Sequence, residues 1–153
     1  MSRTSEDHKL GKSAFHTEPQ PRWATGYKLI AEHYNKSRNL DQGERGLNII
    51  SPFPFLDGIY LPEQQFHSYY IPVSHTGYPG ELQENAPYTP AETIGAGQLD
   101  RIDGYLVLDD MAWRMLGSAD IVDYLEKHKP SVVIKDRFNL YIWRTGPAAV
   151  VVP

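Results

Sequence analysis

The 153-residue chain contains no cysteine. That excludes disulfides, thiol nucleophiles and Cys-ligated zinc together. Positive charge is also sparse: 15 Lys and Arg stand against 19 Asp and Glu, a net charge of −4, with no basic run. A nucleic-acid phosphate backbone demands a concentrated basic surface, so nucleic acid is not an expected partner. No stretch approaches the roughly 20 apolar residues that cross a bilayer. The charged start Met1-Ser-Arg-Thr-Ser-Glu-Asp-His-Lys9 leads into no apolar segment, so neither a signal peptide nor a direct membrane span is expected.

What remains is an ordinary globular composition, 41% hydrophobic and 22% charged, sufficient for a single domain burying about two-thirds of its unfolded surface. The clearest pattern lies between Asp103 and Arg144. Gly104-Tyr-Leu-Val-Leu108 is a short apolar run ending in Asp109 and Asp110. A helix follows, capped by Ser118 or Asp120, with Ile121, Val122, Leu125 and Tyr124 toward a sheet. Lys127-His-Lys129 suits its C-terminal dipole, and Pro130 stops it. Ser131-Val-Val-Ile134 and Asn139-Leu-Tyr-Ile-Trp143 read as two strands of a hairpin.

Upstream, residues 1–21 form a polar arm, extended or laid along a partner. Trp23, Tyr27, Ile30, Ala31 and Tyr34 recur at helical spacing, and Asn35-Lys-Ser37 is expected to end that helix. Leu47-Asn-Ile-Ile50 is a strand, stopped by Ser51-Pro-Phe-Pro54. Pro62 suits the first turn of a short helix that places Phe66, Tyr69 and Tyr70 on one face. Residues 74–98, dense in Pro, Gly and Tyr, show no period and are expected to be an irregular insert. The apolar tail, 146–153, is expected to dock. The domain is thus residues 22–145: α/β, with a mixed, largely parallel sheet of four or five strands, flanking helices and a C-terminal β-hairpin.

No complete catalytic constellation accompanies this scaffold. Asp109 and Asp110 sit where a strand ends, the place where open α/β sheets gather ligands. There a carboxylate pair can hold Mg²⁺ or act as acid and base, with His75 from the insert as a third member. The competing role is structural, one carboxylate capping the turn at residues 111–116 and the other solvated. Six histidines (His8, His16, His33, His67, His75, His128) include no HxH or HxxxH pair, so no metal site is expected. Ser68 beside His67 and Ser74 beside His75 lack a nucleophile elbow. Gly11-Lys-Ser13 lacks the first glycine of a phosphate loop, Glu6 standing there. Gly95-Ala-Gly97 lacks the third glycine of a dinucleotide fingerprint, which falls at Asp100. No cofactor is expected. The suggestive surface is aromatic: Tyr69, Tyr70, His75, Tyr78 and Tyr88 supply flat faces and hydroxyls of the kind that bind carbohydrate or protein.

The order of features resembles the C-terminal domain that follows the transmembrane helices of polyprenyl-phosphate-dependent membrane glycosyltransferases, of the protein mannosyltransferase and aminoarabinose transferase type. The likeness runs from Arg22 to Arg144. It rests on Arg22-Trp23 opening a helix, a strand at Asn48-Ile-Ile50, Tyr69-Tyr70-Ile-Pro72, Tyr105-Leu-Val-Leu108, the helix at residues 120–128, and Leu140-Tyr-Ile-Trp-Arg144. The resemblance implies an extracytoplasmic α/β module without its own catalytic residues, since that family carries its catalytic carboxylates in the membrane portion. The insert at 74–98 departs from the family pattern. The functional expectation is a non-catalytic binding or assembly module, or an accessory subunit, beside a membrane protein. The alternative is a small enzyme acting on a sugar or nucleotide through Asp109, Asp110 and His75.

Overall fold

A computed structural model describes residues 21–41, 46–62, 64–73 and 91–153. Helix α1 spans Pro21–Asp41. Trp23, Tyr27 and Ile30 are buried along one stripe, with Ala31 and Tyr34 packed beside them. The helix passes the expected stop at residues 35–37. Asn and Ser cost a helix interior only tenths of a kcal/mol, and no Pro or Gly occurs from Asn35 to Gln42.

Strand β1 (Leu47–Ser51) follows, and the prolines at 52 and 54 turn the chain into a short helix α2 (Phe55–Tyr60). The next element corrects the helical reading of residues 62–70: Phe66–Tyr70 is strand β2, parallel to β1 with Leu47 opposite Phe66 and Ser51 opposite Tyr70. These five residues carry an i, i+3, i+4 aromatic pattern and no clean alternation, so periodicity alone favours the helix. The aromatic β-formers and the open edge of β1 decide for the strand. Residues 91–98 also depart from the expected irregularity. They hold strand β3 (Ala91–Thr93), parallel to β2, and begin the one-turn helix α3 (Ala96–Leu99). Ile94 and Leu99 anchor this stretch in the core.

Strand β4 (Tyr105–Asp109) is buried along its whole length, as befits a central strand covered on both faces. The chain then forms α4 (Asp110–Arg114), α5 (Ala119–Lys127), β5 (His128–Lys129), β6 (Val132–Ile134) and β7 (Leu140–Arg144). Ser118 Oγ accepts the Ile121 N–H and caps α5, and Tyr124 is buried with Ile121 and Leu125. A single 3₁₀ turn (Gly146–Ala148) leads into β8 (Val150–Val151). The apolar tail pairs antiparallel with β5, Val151 opposite His128 and Val150 opposite Lys129.

The main sheet has six strands in the order β3-β2-β1-β4-β7-β6, one or two more than expected. Its first four are mutually parallel and its last two antiparallel. One face packs Leu47, Ile49, Tyr105, Val107, Leu140 and Ile142 beneath α1 and α2. The other packs Ile50, Leu106, Leu108 and Trp143 beneath α4 and α5. Among the described residues no helix is long and apolar enough to cross a membrane.

Candidate functional site

From β1 the chain winds through β2 to β3 on one side, then returns to place β4 on the other side of β1. The carboxyl ends of β1 and β4 therefore form a topological switch point, where this architecture makes its crevice. Ser51 and Asp109 close the two strands there, and Asp110 opens α4. The sequence singled out both carboxylates, and the structure brings them to this edge with different neighbours.

Asp109 is buried. Its Oδ2 accepts from Arg22 Nη2 at 3.0 Å, in an ion pair whose side chains are 5% and 8% exposed. Its Oδ1 accepts the Ala112 N–H at 2.8 Å, so Asp109 is the N-cap of α4. The Arg22 guanidinium also lies 5.7 Å from the Phe138 ring centre. Asp110 is not simply solvated. Its Oδ1 accepts the Tyr141 hydroxyl at 2.7 Å and its Oδ2 the Asn139 N–H at 2.8 Å, while its own N–H reaches Asn139 O. That hydrogen bond to Asp110 raises the Tyr141 pKa above the usual phenol value. All four carboxylate oxygens thus hold a structural hydrogen bond. They tie α1, α4 and the β6–β7 turn to the end of β4 (charge-assisted bonds, stronger than neutral ones).

A second cluster escaped the sequence reading. Asp57, on α2, has no exposed surface. Its Oδ1 accepts the Tyr27 hydroxyl and its Oδ2 the Ser68 hydroxyl, both at 2.5 Å. Burial pushes its pKa up from 3.8 to about 7, and the two hydroxyl donors only partly offset that. Tyr27 is itself raised, by burial first and by Asp57 second. The signal was present: Asp57 is the single charged residue from Pro52 to Pro62, in a stretch too apolar to be a surface loop.

The histidines lie apart. His33, on α1, has Nδ1 2.5 Å from the Tyr105 hydroxyl and Nε2 3.5 Å from Arg144, whose other arm holds Asp103 at 3.2 Å. Burial, then the positive charge of Arg144 and Lys36, lowers the His33 pKa. His67 leans on the Tyr69 ring, two residues along β2. His128 stacks on Tyr124 at 3.8 Å and donates from Nδ1 to the Tyr124 carbonyl. Among the described residues no three His, Asp or Glu side chains gather as metal ligands.

The aromatic surface is divided. Strand alternation puts Phe66, Ser68 and Tyr70 on the α2 side of β2, and His67 and Tyr69 on the other. Tyr69 and Tyr70 therefore cannot act as one patch. His75, Tyr78 and Tyr88, like His8, His16 and the arm at 1–20, lie outside the described residues. No family model, no curated protein and no solved structure matches the chain.

Proposed function

We propose that this chain is a non-catalytic binding and assembly module that works beside a membrane protein, as the extracytoplasmic domain of a polyprenyl-phosphate-dependent glycosyltransferase does or as an accessory subunit. The observation that supports this reading is the state of the switch-point carboxylates. An acid–base pair needs an oxygen aimed at substrate, and here each oxygen of Asp109 and Asp110 is engaged in holding the fold. The surface adds a contact element: Val150, Val151 and Val152 are 47%, 64% and 45% exposed on the tail, beside the exposed Lys127 and Lys129. Exposed apolar residues gathered in one place mark interaction surfaces.

Photo-crosslinking from Val151 in cells producing the full chain tests the proposal. A discrete adduct with an integral membrane protein is expected, and none with the same probe at Glu126 on the outer side of α5. A purified chain that by itself turns over a lipid-linked sugar or sugar nucleotide, and loses that activity in Asp110→Asn, overturns it.

A further inference from the structure

Asp57 differs from every other described carboxylate in having full burial and only neutral partners. From α1 the group facing it is Tyr27, with Tyr60 of α2 stacked on that ring at 5.2 Å. From β2 it meets Ser68. From β1 the neighbouring polar group is Ser51, which hydrogen-bonds Tyr27 and takes the Phe53 N–H on its Oγ. No Lys, Arg or His among the described residues pairs with it. The two hydroxyl donors favour an ionised carboxylate, but in such a place it loses the rest of its hydration, which costs more and favours the neutral acid.

We propose that Asp57 is a protonation-dependent clamp: neutral, it locks α2 to α1 and β2, and ionised, it loosens α2 from the sheet. The helix has only six residues, too few for independent stability, so its place depends on this cluster and on the burial of Leu56 and Leu61. The cluster therefore acts at the root of the segment that leaves the carboxyl end of β1, next to the switch point.

The direction follows from linkage. In the unfolded chain Asp57 ionises near 3.8; in the fold it holds its proton to about 7. Between those values the native state binds the extra proton, so stability is full below the lower value and falls as pH rises through the window. A shift of this size corresponds to a loss on the order of 1,000-fold in the folding equilibrium constant. His33 works oppositely: its lowered pKa lets stability grow as pH rises through the imidazole range.

The test is denaturant unfolding of the full chain from pH 4 to pH 8.5, with amide exchange of residues 55–61 followed in parallel. Asp57→Asn is expected to abolish most of the fall and to leave the His33 contribution in place. Protection of residues 55–61, relative to the intrinsic base-catalysed exchange rate at each pH, is expected to fall above pH 7 in the natural chain and not in the variant. Ser68→Ala, which removes one donor to the carboxylate, should move the midpoint to higher pH, and it keeps the test open should Asp57→Asn fail to fold. A midpoint below pH 5 by carboxyl-carbon NMR, or equal protection relative to intrinsic exchange at pH 6 and 8.5 in the natural chain, overturns the clamp.

Discussion

Arg22 and Asp109 are 87 residues apart in sequence and form a buried ion pair. Its net value over an apolar pair is small, because desolvating both ions offsets their attraction, but removing one partner is costly. Asp109→Ala strips the guanidinium of this carboxylate and also uncaps α4. A loss of about 3–5 kcal/mol is expected, read as a drop in the urea midpoint with an unchanged slope. Tyr141→Phe makes the useful contrast. It removes one hydroxyl from Asp110, which Asn139 still holds, so about 1 kcal/mol is expected. The two acidic neighbours were legible as a pair at a strand end, one of them capping the following turn, as Asp109 does. The ion pair of Asp109 and the bonds of Asp110 were not, because the partners come from Arg22 and from Asn139 and Tyr141, which only the tertiary fold brings near.

At the scale of elements, legibility followed length and chemistry. Helix α5 carries a capping serine, an apolar stripe and a stopping proline, so local signals agree with its environment. The hairpin of β6 and β7 likewise showed in two apolar runs with a polar connection. Strand β2 was misread since its neighbour, β1, overrides what a five-residue window favours, and β3 with three residues has almost no pattern of its own. Ser118→Ala tests the agreement at α5: one capping hydrogen bond at 3.3 Å should contribute about 0.5–1 kcal/mol. Far-ultraviolet circular dichroism during thermal melting is the measure, and a lowered midpoint with unchanged native helicity is the expected result.

The main sheet is two sets of strands joined at one ladder, a seam with both cores running across it. The parallel strands β3-β2-β1 meet the antiparallel set β4-β7-β6 only where β1 lies beside β4, with Ile49 opposite Tyr105 and Ile50 opposite Leu106. The flanking pairings β1–β2 and β4–β7 each run the length of five residues, so this junction is the shortest ladder in the centre of the sheet. A side-chain bond crosses it at the amino end, where Asn48 Nδ2 donates to Asp103 O. The Arg22–Asp109 pair at the carboxyl end ties β4 to α1, and Thr145, which accepts the Gly104 N–H and donates to Ile102 O, ties the start of β4 to the end of β7. Gly104 sits at the point of closest approach: a Cβ there would lie 2.7 Å from the backbone oxygen of Asn48. A backbone atom cannot rotate aside, so Gly104→Ala must spread β1 from β4, at about 1–3 kcal/mol by the usual cost of overpacking. Native-state hydrogen exchange is expected to quicken at Ile50 and Leu106 along the seam, while the amides that join β4 to β7 keep their protection relative to global unfolding. Uniform quickening across all six strands would mean instead that the sheet opens as one unit and that the seam carries no separate weakness.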